Sequence, residues 1–221
     1  MLQKLQQRQR LIPFLTLSFA GAICCSLVAF RIHHTDRFYF LFLIWNLFLA
    51  FVPYIISTYM VMRQDKFSLI KLLPFYLAWL LFFPNAPYIL TDMLHLEARE
   101  EIGIWYDMGL ILSFAITGLM IGYLSLIDIY EITKSKFNVA AAWSLSIFNI
   151  LAGSFGVYIG RYLRYNSWDL IVCPKPLFID IAVRLLHPFD YPKTIGVTVI
   201  FSGILITGFV LLQQLSARKE A

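Results

Sequence analysis

Polar residues in this chain are interrupted by long apolar runs and do not alternate with apolar ones. Six runs stand out, roughly at 11–30, 38–62, 69–90, 107–127, 138–160 and 192–213. Each is about twenty residues or more, the length at which a helix crosses a hydrocarbon core about 30 Å thick. Lipid offers the backbone no water, so a chain crosses it as helix or as closed barrel. Continuous runs without two-residue alternation predict helices. The expected fold is all-α, a polytopic integral membrane helical bundle of about six transmembrane helices. It forms one helical membrane domain over 1–221, with no internal repeat or linker.

Between the fifth and sixth runs, the segment 170–191 has a pattern of its own. Pro176 suits a first helical position. Leu177, Ile181 and Leu185 share one face, and Asp180, Arg184 and His187 recur on another. These positions predict a helix at 176–187 lying in the outer interface of the bilayer, with Asp180 and Arg184 paired one turn apart.

The third run breaks within LLFFPNAPYILTDMLHL, Leu80 to Leu96. A helix from Leu69 to Phe83 reaches only about 22 Å, so Pro84 arrives before the chain has left the hydrocarbon. Pro84 lacks an amide donor, and the two prolines disfavour helical geometry at Phe83 and Ala86. The expectation is an unwound wall at PNAP with Asn85 capping a restarted helix. Such a wall survives only against protein or a water-filled cavity. Beyond it, Thr91, Asp92 and His95 offer a hydroxyl, a carboxylate and an imidazole at helical spacings. A kinked exit into solvent would use the same residue types. The coincidence of break, asparagine and an Asp/His face puts a pocket on equal footing with that plainer reading.

Two further stripes aim at the same region. Ser146, Asn149, Gly153, Gly156 and Gly160 recur along the fifth run and lead to Arg164, while Asp107, Ala115, Gly118, Gly122 and Ser125 recur along the fourth. Small residues at such spacing let helices approach closely. If both stripes face inward, Asp107 and Arg164 are carried to the bundle interior. Arg161 and Arg164 then require an anion or water, with Asp92, Asp107 and Asp169 as the candidate carboxylates. Arg161 pointing outward to the interface is the alternative.

Composition agrees with a membrane domain. Hydrophobic residues make up 60% and charged residues 14% of 221, too apolar for a soluble domain of this size. The net charge of +5 is spread over short loops without a basic block, so the expected surrounding is a lipid bilayer and no nucleic acid. Cys24 and Cys25 are adjacent and Cys173 is alone, which implies neither a disulfide framework nor a metal-ligand set. No metal ligand is assigned, paired carboxylates with a histidine being only a weak signal for a divalent ion without an HExxH or DxD-like set; the presence of a metal, the cofactor and the oligomeric state are left open. Lys4, Arg8 and Arg10 precede the first run as in a signal peptide, but that run is long enough to span and no small-x-small pattern ends it, so a retained helix is expected.

Loop charges set an orientation. Lys4, Arg8, Arg10, Arg63, Lys66, Lys71, Lys134, Lys136, Arg218 and Lys219 fall on one side. Arg31, Arg37, Arg99, Arg161, Arg164, Lys175, Arg184 and Lys193 fall on the other, together with acidic residues such as Glu100 and Glu101. This modest bias predicts both termini in the cytoplasm and the segments 91–106 and 161–191 outside.

PNAPYILTDMLHL at 84–96, WYDM at 105–108 and GRYLRYNSWDL at 160–170 resemble the signature segments of domain-of-unknown-function family 1361, bacterial multi-pass membrane proteins. The resemblance implies the architecture and a bacterial inner-membrane home. It brings no reaction, cofactor or substrate.

Three function classes follow. An enzyme acting at the outer leaflet on a lipid or lipid-linked substrate would use Asp92 or Asp107 as general base and His95 as acid–base partner. Arg161 and Arg164 would grip a phosphate or carboxylate, and Asn85, Thr91, Asn166 and Asp169 complete the candidate binding set. No GxSxG elbow, HExxH pair or cysteine–histidine nucleophile is present. A binding protein or small transporter would hold an anionic ligand at the restarted helix. An accessory or scaffold protein of envelope machinery would use the polar cluster as a structural lock. An outward polar site that binds or modifies a lipid or anionic ligand is ranked above the scaffold.

Overall fold

The computed structural model describes residues 2–97 and 102–218, with side chains described from Arg10 onward. Lys4, Arg8, Arg99, Glu100, Glu101 and Lys219, which enter the orientation argument, lie outside the described residues or side chains. The described chain is built of helices α1 (Leu2–Thr35), α2 (Phe42–Arg63), α3 (Leu69–Phe82), α4 (Asn85–Tyr88), α5 (Ile104–Lys136), α6 (Val139–Tyr162), α7 (Asp169–Val172), α8 (Pro174–Leu186) and α9 (Pro192–Ala217). A 3-10 segment, Ile89–His95, follows α4. Six helices are long and apolar enough to cross a membrane, the third being the composite Leu69–His95. Both termini therefore lie at one end of the bundle, and α8 lies at the other.

Local sequence sets the helix ends. Asn138 caps α6 by accepting the Ala141 amide through Oδ1 at 2.8 Å. Prolines open α8 and α9, where a missing amide costs nothing. The fourth run continues past its expected end at 127 to Lys136, carrying Asp128 into the buried part of the bundle. α5 is the central post. Of its most apolar stretch 61% is buried, against 17% in α9, and it packs on α1, α2, α4, the 3-10 segment and α6.

The interfacial helix begins at Pro174, two residues earlier than expected, and leaves Phe178, Ile179, Leu185 and Leu186 exposed. Its inner side is tied down. Arg184 Nη1 donates to Asp180 Oδ1 at 2.6 Å, and the Tyr165 hydroxyl donates to Asp180 Oδ2 at 2.8 Å. The Arg184 guanidinium also lies 4.8 Å from the Tyr191 ring centre. The Tyr165 hydrogen bond is the main reason the Asp180 carboxyl sits below the usual carboxylate range, with Arg184 acting in the same direction. His187 is exposed.

The break at PNAP is not unwound. Phe83, Pro84, Tyr88 and Ile89 all keep right-handed helical dihedrals. Pro84 therefore does not force Phe83 out of helical geometry; the chain tightens into a short turn, one α-turn and then 3-10 structure. Asn85 does not cap α4 either, whose capping position is Pro84. Its Nδ2 donates instead to the Phe82 carbonyl at 2.9 Å and to Ser167 Oγ at 3.1 Å, while Ser167 donates to the Leu81 carbonyl at 3.3 Å. Side chains thus serve carbonyls at the end of α3, where the regular helix stops, as a break in a membrane span requires.

Candidate functional site

Glycines on two helices hold the break. A Cβ on Gly118 would meet Ile89 Cδ1 at 2.8 Å, and one on Gly122 would meet the Ala86 Cβ at 2.9 Å. Across the segment, a Cβ on Gly153 would strike the Phe83 ring at 2.7 Å and one on Gly156 would strike Pro84 at 2.5 Å. The stripes of α5 and α6 therefore do face inward, and both close on residues 83–89 from either side. Phe83 stacks on Trp79 at 4.7 Å, completing the buried seat.

This clamp turns the 3-10 segment so that Thr91 and Asp92 are buried. Asp92 is fully enclosed and accepts from two directions. Asn46 Nδ2 on α2 donates to Oδ2 at 2.9 Å, and Arg161 Nη1 on α6 donates to Oδ1 at 3.2 Å. Arg161 makes two further bonds nearby: Nη2 donates to the Thr91 carbonyl at 2.8 Å and Nη1 to the Tyr88 hydroxyl at 3.3 Å. Thr91 turns its hydroxyl back to the Tyr88 carbonyl. The expected pairing of an arginine at the end of α6 with a carboxylate is thus Arg161 with Asp92, and it ties α2, the 3-10 segment and α6 together.

Beside this pair lies a cleft of about 280 Å³. Trp45, Asn46 and Leu49 of α2 form one wall, and Ala152, Phe155, Gly156, Ile159 and Gly160 of α6 form the other. Leu80, Leu81, Pro84, Asn85 and Tyr88 line the broken span between them. Tyr165, Asn166 and Ser167 with Leu177 and Ile181 of α8 complete the lining. Trp45 is half exposed on the flank of α2. α3 supplies 14 residues before the break, so Pro84 lies about 20 Å along the span from Leu69, less than the thickness of about 30 Å that a hydrocarbon core presents.

The other candidate residues are not gathered here. Asp107 is buried in a separate pair with Arg31 of α1, whose Nε and Nη2 donate to its two oxygens at 2.6 and 3.0 Å. It is not drawn to the arginines of α6, because the N-terminal turn of α5 packs against α1. His95 ends the 3-10 segment exposed, edge-on to Phe42 at 5.1 Å, and does not line the cleft. Arg164 is not drawn inward as expected; it takes a left-handed φ of 62° as the chain leaves α6 and its side chain is exposed. Asp169 meets no arginine among the described residues. Its Oδ2 accepts the Asn166 backbone amide at 2.7 Å, closing the turn that brings Asn166 and Ser167 to the cleft.

Sequence reasoning missed four groups. Asn46 sits in an apolar run and is buried against Asp92. Ser167 serves the break. Arg31 and Arg10 read as end charges, yet Arg10 makes a two-pronged pair with Asp128 at 2.7 and 3.1 Å that Ser57 joins at 2.7 Å. The available signal was the carboxylate of Asp128 inside a helical apolar pattern, which needs a partner. Among the described residues no group of three or more His, Cys, Asp and Glu is placed to hold a metal.

Fold and site together define a multi-pass membrane protein whose broken third span forms one side of a cleft beside a buried carboxylate–arginine pair. The chain belongs to the family described as Protein of unknown function (DUF1361), whose model matches residues 45–207. All three resembling segments fall within that match. No curated protein and no solved structure matches the chain.

Proposed function

We propose that this protein is a lipid-binding membrane protein of the bacterial inner membrane, with both termini cytoplasmic and the cleft opening at the outer leaflet. The observation that carries the reading is the cleft itself. α2 and α6 flank α4 and leave a gap over it, with an apolar wall and polar groups near the α8 end. An amphiphile entering sideways from the bilayer would lay its chains along Leu80, Leu81 and Phe155 and its headgroup against the asparagines and tyrosines. Pairing leaves the bias with the same sign: Arg10 on the cytoplasmic side and Arg31 and Arg161 on the outer side are each neutralised by a carboxylate, one charge from the first count and two from the second.

The enzyme reading loses its support because His95 and Asp107 do not converge with Asp92. The pairing of Asp92 with Arg161 favours a structural lock, but a pure scaffold leaves the cleft unexplained. The test is Ala152→Trp, which puts an indole into the cleft from α6. Native mass spectrometry of the purified protein should show co-purifying lipid in wild type and its loss in the variant. Equal lipid retention by both folded proteins would remove the cleft from the account. Labelling of a single cysteine at position 100 in intact cells tests the orientation.

A further inference from the structure

The hydrogen-bonding polarity of the cleft wall is fixed by its neighbours, and it selects a class of headgroup. A carboxylate only accepts, so Asn46 must present Nδ2 to Asp92, which leaves its Oδ1 and its second N–H without a bond. A carbonyl only accepts, so Asn85 must present Nδ2 to Phe82, and again Oδ1 is left over. Ser167 accepts from Asn85 and donates to Leu81, so its single proton is used. Tyr88 accepts from Arg161 Nη1, which leaves its own O–H free to donate. The wall therefore offers two amide acceptors, and it donates through the Tyr88 phenol, the second Asn46 N–H, the Trp45 indole N–H and the Asn166 amide, all of them neutral. No Asp, Glu, Lys, Arg or His lines the cleft among the described residues, and Arg161, the nearest cation in the site, is already engaged by Asp92, Thr91 and Tyr88.

Resting on the lipid-binding reading above, we propose that the cleft selects a neutral, hydroxyl-rich headgroup, as in a glycosyl lipid, over a phosphate-bearing one. Hydroxyls both donate and accept, so they satisfy the two amide oxygens and the Tyr88 hydroxyl together. A phosphate is anionic and brings oxygens that chiefly accept; placed here it would leave the two amide oxygens unserved and meet only neutral donors, with no free cation in the lining to offset its charge. Trp45 and Tyr165 supply flat apolar faces of the kind that the C–H surfaces of a sugar ring can cover. Asp92 and Arg161 act as positioning residues in this scheme. They do not line the cleft, but they hold the Asn46 amide and the Tyr88 hydroxyl in the orientations that define the wall.

The experiment exposes the purified full chain in mild detergent to an equimolar mixture of monoglucosyl diacylglycerol, phosphatidylglycerol and phosphatidylethanolamine, and counts bound lipids by native mass spectrometry. Wild type should retain the glucolipid about tenfold over phosphatidylglycerol. Tyr88→Phe keeps the ring and removes the donor, and should lower that ratio about three- to tenfold. Asp92→Asn should lower the ratio on the folded fraction as well, because an amide at 92 no longer forces the Asn46 orientation; loss of stability alone would reduce the folded fraction and leave the ratio intact. A preference for either phospholipid that Ala152→Trp abolishes would overturn the headgroup assignment while leaving lipid binding in place. No lipid retained by wild type beyond the Ala152→Trp level would overturn lipid binding itself. Free glucose competing as well as the glucolipid would keep the headgroup chemistry but make the ligand a soluble sugar.

Discussion

Replacing Gly156 by alanine adds one carbon at the tightest point of the site. That Cβ would stand 2.5 Å from Pro84 Cγ and 2.9 Å from Pro84 Cβ, where ordinary contact begins at 3.4 Å. The proline ring cannot rotate away as an exposed side chain would, since it is part of the backbone turn that α5 and α6 enclose. Overpacking of this kind costs about 1–3 kcal/mol. The change from glycine to alanine in a helix returns about 1 kcal/mol. A net loss of up to about 2 kcal/mol is expected at Gly156 from those two terms. At Gly160 the new Cβ would lie 3.3 Å from the Tyr88 ring, so the two terms nearly cancel. Gly203 in α9 has nothing within 4 Å, and alanine there should stabilise by up to about 1 kcal/mol. Gly156→Leu and Gly118→Leu should be worse than the alanine change, whereas Leu151→Ala, on an exposed face, should be mild. Unfolding in mixed micelles on titration with SDS measures the series. If Gly156→Ala and Gly203→Ala shift the midpoint equally, the clamp on the break is not what its geometry implies.

Two other outcomes are specific. Asp107→Asn keeps the shape of the buried pair but leaves the Arg31 guanidinium, 1% exposed, without its carboxylate; the same micelle titration should register a loss of about 3–5 kcal/mol, and an unchanged midpoint would mean that water reaches the pair. The Asp180 carboxyl is held below its ordinary 3.8, so its contribution to docking α8 is complete above that value and lost only as pH falls through the lower folded value. Tyr165→Phe removes the leading cause and should move the acid-induced rise in hydrogen exchange of α8 amides to higher pH; onset at the same pH would show that the Tyr165 hydrogen bond does not hold the helix.

The spans were legible because length and apolarity are enough to specify a membrane helix. So was the place of the break, but not its form. Proline rules act on the residue before and the amide removed, and they describe a chain free to extend. Here Gly118 and Gly122 on one side and Gly153 and Gly156 on the other leave no room for an extended segment, and Asn85 and Ser167 supply donors to the carbonyls at the end of α3. The tertiary clamp therefore overrides the local preference. Helix ends alone narrow the pair to one of two arginines, Arg161 or Arg164, and one of three carboxylates, and Arg161 with Asp92 is among those combinations. The partner of Asp107 was not legible, because nothing in the apolar letters of α1 says which way Arg31 points. Arg164 shows the opposite error: a stripe extrapolated past Tyr162 runs on after the helix has ended and the backbone has turned.

The two pairs that sequence reasoning missed have a common geometry. Arg10 and Arg31 are 21 positions apart on α1, and Asp107 and Asp128 are 21 positions apart on α5. Because the helices are antiparallel, Arg10 meets Asp128 and Arg31 meets Asp107. At about 1.5 Å per residue the two rungs stand about 31 Å apart, close to the thickness of a hydrocarbon core. A register slip between α1 and α5 would break both rungs at once and separate two arginines from two carboxylates in or near lipid. Buried ion pairs contribute little net stability but can fix a register, and in α1 that role is needed, since the first helix otherwise shows lipid a largely apolar surface with Leu11, Ile12, Leu15 and Phe19 exposed. The family match begins at Trp45, so it contains both carboxylates and neither arginine. A fragment cut to the matched residues would therefore strand Asp107 and Asp128 away from these arginines.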